Sequence, residues 1–309
     1  SCPKKTKKIK KYYDYKKIIF CVYQDFSKII NKLKGDNFSI DAQTCSVSNE
    51  RLIRKIFNIK LNKDPCYALK AIKNKSEIKG MIASHIEDGL ALTRFIYWIK
   101  NINKKKITEV DAQKKLEKFR RLNKNYLFPS FDTIAGTGSN GAIVHYRATQ
   151  KRTAIIKNND IFLCDSGGQY KYGTTDVTRT ICFSAQKIRI KNVFTKVLKG
   201  HIAVAQTDLH QHKTGKQIDI RARKFLKESG LDYAHGTGHG VGFFLNVHEG
   251  PQSISKFNSI KIKEGMILSN EPGFYKKGQF GIRIENLVYV NKVKNKLFFE
   301  NLTLAPIEK

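Results

Sequence analysis

Asp165, Asp176, His239, Glu271 and Glu285 are scattered over the second half of a 309-residue chain, yet their side chains suit one another. They sit in IFLCDSGGQY, GTTDVTRT, HGTGHGVGF, ILSNEPGFY and GIRIEN. Four carboxylates and one imidazole make a hard, oxygen-rich donor set, suited to two divalent ions that share bridging carboxylates. Two ions held this way can carry a hydroxide between them and polarise a carbonyl, which is equipment for hydrolysis. If the five converge, the chain is a metallohydrolase.

The spacing favours convergence. Asp165 and Asp176 flank a turn containing Gly167, Gly168 and Gly173, and a hairpin there would set the two positions opposite each other. Glu271 and Glu285 flank a second connection with Gly273, Gly278 and Gly281. Some of these acids follow apolar residues, as in Leu163-Cys164-Asp165 and Ile284-Glu285. A buried carboxylate is costly unless it is paired or bound to a metal, and four together repel one another without cations. Among the histidines, His235 and His239 are separated by Gly-Thr-Gly, which argues against a continuous helix. His239 then reads as the ligand, and His235 as a residue facing substrate or supporting the site. His145 and His248 gain meaning only if they border the metals.

Other chemistries are excluded by context. Gly136-Thr-Gly138-Ser-Asn-Gly141 fits the dinucleotide pattern GxGxxG, but AIVHYRAT after it is strand-like and opens no helix. Gly236 to Gly242 is glycine-rich without the Lys-Ser/Thr of a phosphate loop. No GxSxG elbow is present, and Cys164 reads as a buried strand residue.

The elements that must position these residues fall into two halves. Ser76–Lys100 carries Ile78, Met81, Ile82, Ile86, Leu90, Phe95 and Ile99 at helical spacing, and Thr108-x-x-Asp111 opens a second helix with a capping-box start. Strands are expected near Thr133–Ala135 and Ala142–Tyr146, then a hairpin over Asp160–Asp165 and Thr175–Phe183. Helices Lys191–Gln206 and Gln217–Ser229 follow, the latter ended by Gly230. Strands return at Met266–Asn270 and Ile282–Val290. Helices then strands, twice over, predict an α+β domain of two similar halves. Residues 1–73 differ in kind: a Lys-rich start at Lys4–Lys17, strands Ile18–Tyr23 and Phe38–Ala42, and helices Ser27–Leu33 and Ser48–Phe57, the latter capped by Ser48 or Asn49. So short a segment builds little independent core and reads as part of an α/β domain whose beginning is missing.

Composition bounds the rest. Hydrophobic content of 40% and aromatic content of 11% belong to a folded chain, and no apolar run approaches a membrane span. The six cysteines form no CxxC pair, which favours free thiols and a cytoplasmic location. The net charge of +32 is spread along a chain rich in Lys, Asn and Ile and is not gathered into a stripe. It therefore speaks to solubility, and no nucleic-acid or membrane partner is expected.

With these residues in place, the chain from about Lys70 to Pro306 resembles the Xaa-Pro aminopeptidases, metallopeptidases of the pita-bread fold shared with methionine aminopeptidase, prolidase and creatinase. The matching motifs include KAIKNKSEIKGM, DGLALTRFIYW, FDTIAGTGSNGAIVHY, DSGGQYKYGTTDVTRT, HGTGHGVGFFLNVHEGPQSIS, ILSNEPGFY and GIRIEN. The resemblance implies a pita-bread catalytic domain with pseudo-twofold halves over 74–309, preceded by the partial α/β domain 1–73. It implies that Asp165 binds one ion, His239 and Glu271 the other, and that Asp176 and Glu285 bridge both. Manganese is the family's usual metal, with zinc or cobalt as alternatives. Glu271 would shuttle the proton of the attacking water, and His145 and His248 would stabilise the scissile carbonyl and help position substrate. His235 would line the cleft, and Arg283 would orient the site. The implied reaction removes the first residue from peptides with proline at position two. The alternatives are dipeptide-specific prolidase activity and an impaired fragment that only binds peptides. A homodimer is an assembly the resemblance allows. Long-form relatives carry two domains before the catalytic one and a helical segment after it, so the chain is expected to be shortened at both ends.

Overall fold

A computed structural model describes residues 21–102, 107–244 and 246–309. The chain divides into two compact units between Cys66 and Tyr67. The expected Lys-rich start, Cys2, and Ile18–Phe20 of the first expected strand lie outside the described residues.

In the first unit, helix α1 (Phe26–Ile30) and helix α2 (Val47–Arg54) accompany strands β1 (Asn37–Ile40) and β2 (Asn58–Leu61), which pair in parallel. Ile30, Ile40, Ile53 and Phe57 form its small core. Tyr23, read as the end of a strand, instead opens a 3₁₀ turn (Tyr23–Asp25). Helix α2 starts earlier than Ser48 because Ser46 caps it, accepting from the Asn49 amide at 3.2 Å.

The second unit begins with α3 (Pro65–Ala71), which starts two residues before the division, and α4 (Lys75–Asn101). Asn74 and Glu77 form a capping box at the start of α4. Helix α5 (Glu109–Arg120) opens on the expected box of Thr108 and Asp111. Strands β3 (Tyr126–Pro129), β4 (Ile134–Thr137), β5 (Ile161–Ser166), β6 (Gly168–Tyr170), β7 (Gly173–Thr174) and β8 (Val177–Cys182) complete the first half. β4, β5 and β8 form an antiparallel sheet in the order β4-β5-β8. Leu92, Phe95 and Ile99 of α4 and Leu116 of α5 pack on Ala135, Phe162, Cys164 and Ile181 of that sheet. Each such side chain contributes on the order of 1.5–3 kcal/mol by leaving water.

The second half repeats the plan. Helices α6 (Ile188–Ala205) and α7 (Gly215–Lys227) precede the short strands β9 (Gly238–His239) and β10 (Ser253–Ile254). Then come β11 (Ile267–Asn270), β12 (Gly273–Lys276), β13 (Phe280–Arg283), β14 (Asn286–Val293) and β15 (Lys296–Asn301). The sheet β11-β14-β15 is again antiparallel, and Val204, Ile218 and Ala222 pack on its Leu268, Val288, Val290 and Phe299. The halves meet where β8 lies against the β13–β14 segment: the Glu285 amide donates to the Thr178 carbonyl, and the Thr180 hydroxyl donates to the Arg283 carbonyl.

Three expectations need correction. The α4 residues Ile82, Ile86 and Leu90 are exposed, whereas Met81, His85, Asp88, Leu92 and Phe95 are buried. The buried face tolerates Asp88 because Arg120 pairs with it at 2.7 Å. Ala142–Tyr146 is no strand: a 3₁₀ turn (Gly138–Ala142) leads into further turns. Ile282–Val290 is not continuous either. It breaks at Ile284 and Glu285, between β13 and β14, and that break exposes Glu285 to the opposite half.

Candidate metal centre

The carboxylates come from two strand pairs, one in each half. In the first, Asp165 of β5 is in register with Thr178 of β8, not with Asp176 as the hairpin argument expected. Asp176 lies two residues before Thr178, so alternation returns it to the same face as a diagonal neighbour of Asp165. In the second, β11 and β14 pair through Asn270 and Asn286, which puts Glu271 and Glu285 at the next step outward, opposite each other. His239 ends β9, whose partner is β10. Its amide donates to the Ser269 hydroxyl, which in turn donates to Glu271 Oε1 at 2.9 Å. Only glycine serves at 238, because a Cβ there would run into the Ser269 carbonyl.

The five donors converge. Asp165, Asp176 and Glu285 form one cluster and His239, Glu271 and Glu285 a second, each with donor atoms within 4.8 Å of one another. Glu285 belongs to both. A third cluster joins Asp176, His239 and His248. His239 Nε2 lies 3.3 Å from Asp176 Oδ2 and 3.5 Å from Glu271 Oε1. Its Nδ1 faces the Gly240 carbonyl at 2.9 Å, so Nδ1 carries a proton and Nε2 is the atom offered to the centre.

Arg283 ties the centre together. Its Nη2 donates to Asp165 Oδ2 at 2.7 Å, its Nε to Thr178 Oγ1 at 3.0 Å and its Nη1 to Tyr275 Oη at 2.6 Å. Thr178 passes the order on, donating to Glu285 Oε2 at 2.6 Å. His235 Nδ1 faces the Gly236 carbonyl, so its Nε2 accepts from the Tyr275 hydroxyl at 2.9 Å.

The electrostatics are those of a site short of positive charge. Burial pushes Asp165 up to about 6, with Asp176 adding to the shift and Arg283 opposing it. Burial likewise lifts Glu271 to about 7 against the pull of His239 and Arg283. Burial and the neighbouring Asp176, Glu271 and Asp165 drive Glu285 well above the carboxylate range. Burial alone would depress His239, yet Asp176 and Glu271 outweigh it and hold it at about 9. Asp165 Oδ1 is buried with no hydrogen-bond partner. An orphaned carboxylate oxygen among mutually repelling acids is what a pair of divalent cations would satisfy, so the donor set fits such a pair.

A cleft of about 450 Å³ opens onto these residues. Phe131, Ile134, Val144 and Val247 supply apolar wall, and His145, His235 and His248 supply imidazoles. His248 packs against His239 with ring centroids 3.8 Å apart. His145 is exposed on the turn after the 3₁₀ segment. That turn is gathered by the buried carboxylate of Glu109, which accepts from the Thr137 amide, Asn140 Nδ2, Tyr146 Oη and the Ala154 amide. Burial and the charge of Arg283 lower His235 to about 4, so it stays neutral at pH 7.

Residues 79–292 match the model of metallopeptidase family M24. The chain belongs to that family. Among its M24 relatives, it is 48% identical over 265 residues to a probable Xaa-Pro aminopeptidase P of Laccaria bicolor, covering 82% of this chain and 41% of that protein. It is 48% identical over 255 residues to an uncharacterized peptidase of Schizosaccharomyces pombe, covering 78% and 43%. Its fold is similar to that of the X-prolyl aminopeptidase of Caenorhabditis elegans, described as a cytosolic enzyme with a di-nuclear active site, at TM-score 0.76 and 37% identity over 81% of this chain and 42% of that one. It also resembles prolidase from Pyrococcus furiosus, at TM-score 0.79 and 28% identity over 94% and 82%. The fold is the α+β pita-bread fold of M24 enzymes. The chain spans about two-fifths of the length of the curated relatives named here.

In this M24 chain, all nine residues singled out from sequence line one cleft. Thr178, Ser269 and Tyr275 escaped that reading, although each hydrogen-bonds a residue it named. All three stand inside quoted motifs, but nothing about a threonine, a serine or a tyrosine says that it will face a carboxylate or a guanidinium of the site. Among the described residues, no helix is long and apolar enough to cross a membrane, and Cys21, Cys45, Cys164 and Cys182 are free thiols.

Proposed function

We propose that this chain is the catalytic part of a two-metal Xaa-Pro aminopeptidase, with the catalytic domain over 74–309 and a part of an α/β domain over 1–73. In this reading Asp165, Asp176, His239, Glu271 and Glu285 would hold the two ions, with Asp176 and Glu285 shared between them and manganese the preferred metal. The ions, when bound, supply a Lewis acid for the scissile carbonyl and lower the pKa of the attacking water. Glu271 takes that water's proton and returns it to the leaving amine. His248 and His145 stabilise the developing oxyanion and orient the peptide, and His235, kept neutral, lines the same wall. Arg283 orients Asp165 through their 2.7 Å contact. Proline lacks an amide N–H, so the apolar wall of Phe131, Val144 and Val247 is the surface offered to its ring. Cytosolic residence belongs to the same reading, supported by the cytosolic relative.

The observation that carries this is the convergence of two acidic strand pairs and His239 around an unpartnered Asp165 oxygen. The test is metal analysis together with hydrolysis of an Xaa-Pro tripeptide. Two divalent ions per chain and release of the first residue are expected, with Glu271→Gln lowering turnover by about 10²–10⁴. Full occupancy without release of that residue defeats the proposal. The likeness to prolidases supports a second reading, dipeptide cleavage, and preference for a dipeptide over the tripeptide would select it.

A further inference from the structure

His248 meets the cleft from a loop, and loops hold a ring in place only when something anchors them. The next residue, Glu249, is buried, with a side chain 5% exposed. Its Oε1 lies 3.1 Å from Lys73 Nζ, and its Oε2 lies 3.0 Å from Lys70 Nζ. The Lys73 side chain is 1% exposed, so this is an ion pair inside the protein, not a surface contact. Lys73 is itself fixed: its amide donates to the Gly265 carbonyl, and neighbouring Ile72 bridges to Met266 at the entry to β11. The Glu249 amide donates to the Gly240 carbonyl at 2.8 Å, directly beside His239. One residue therefore joins the loop of His248 to the strand of His239 through its backbone, and to the α3–α4 connection through its side chain.

We propose that Glu249 is the positioning residue of His248, and that its clamp, with buried Lys73 on one oxygen and exposed Lys70 on the other, holds the His248 ring against His239 at the cleft wall. The inference rests on the reading of His248 as a group that meets the scissile carbonyl. A carboxylate 5% exposed between two ammonium groups has little freedom, and the ring on the adjacent residue inherits that restriction.

The experiment compares the metal-loaded protein with Glu249→Gln, Lys73→Met, His248→Ala and the double variant His248→Ala/Glu249→Gln. Amide exchange at positions 240 and 249 is expected to rise about tenfold or more in the two clamp variants while that of β5 and β8 stays unchanged. Turnover of an Xaa-Pro tripeptide is expected to fall about tenfold in kcat with KM nearly constant. In the His248→Ala background, Glu249→Gln adds no further loss, because Glu249 acts through a ring that is gone. Additive losses overturn the proposal, as does unchanged exchange at 240 and 249. If a single charge removal prevents folding, Glu249→Leu/Lys73→Met removes both buried charges together; wild-type turnover in that variant also overturns it. If the unaltered protein turns over no Xaa-Pro peptide, the functional reading fails, and amide exchange still decides the clamp.

Discussion

Replacing Thr178 by valine removes one hydroxyl from the middle of the candidate metal centre while keeping a β-branched side chain that suits strand β8. Thr178 is fully buried, and its hydroxyl makes two contacts with charged groups: it donates to Glu285 Oε2 at 2.6 Å and accepts from Arg283 Nε at 3.0 Å. Hydrogen bonds to charged groups contribute about 1.5–3 kcal/mol each, and the partners left behind have no water to turn to. The two are not additive, since Arg283 keeps Asp165 and Tyr275 and so stays largely satisfied. The working figure is therefore one such bond, about 2 kcal/mol, divided between fold stability and the orientation of Glu285. Loss of a hydrogen bond that orients a ligand typically lowers metal affinity about 10–100-fold. Urea unfolding of the metal-free protein measures the first part, and calorimetric titration with manganese the second. Thr178→Val is expected to lower both, while Thr178→Ser restores most of the affinity because it keeps the hydroxyl. A valine variant with unchanged affinity and stability would refute the claim that Thr178 links Arg283 to Glu285.

Three further outcomes follow from the same geometry. Stripping metal with a chelator should lower the melting temperature, because ions that relieve repulsion among Asp165, Asp176, Glu271 and Glu285 bind only the folded chain; at 100 times Kd the linkage is about 2.7 kcal/mol, and a melting curve indifferent to manganese would contradict it. Burial alone would raise the carboxyl of Asp88, but the charge and hydrogen bonds of Arg120 outweigh it and hold the pKa below its ordinary value. Asp88 therefore contributes stability that is present above the unfolded carboxylate pKa and lost as pH falls through the lower folded one. Urea midpoints of the native protein and of Asp88→Asn should differ at pH 6, and the difference should shrink as pH falls below the ordinary aspartate range. Glu109→Gln sets an amide N–H against one of the donors Glu109 now accepts, and should cost about 1–3 kcal/mol in urea unfolding.

Much of this protein was legible from residue types because the rules involved are local or chemical. A threonine three residues before an acidic side chain, at the head of a helical pattern, is a capping box, and Thr108 with Asp111 forms one here. Asp165 and Glu285 follow apolar residues, which announces buried carboxylates, and four carboxylates with one histidine announce a need for cations. The face of α4 was misread because periodicity counts apolar side chains, whereas the buried stripe includes Asp88, paired with an arginine 32 residues away. Ser46 displaced Ser48 as a cap because neighbouring candidates look alike until the chain direction at the helix start is known.

The sequence by itself therefore determined the chemistry: a two-cation donor set with histidines around it, carried on paired strands in two similar halves. Tertiary structure alone decided how that set is held. The diagonal placement of Asp165 and Asp176, the link from Arg283 through Thr178 to Glu285, and the clamp of Lys73 on Glu249 depend on register and on contacts between residues 105, 107 and 176 positions apart. Local propensity carries no information over such separations. They are settled only when the two sheets pack and each buried polar group takes the partner within reach.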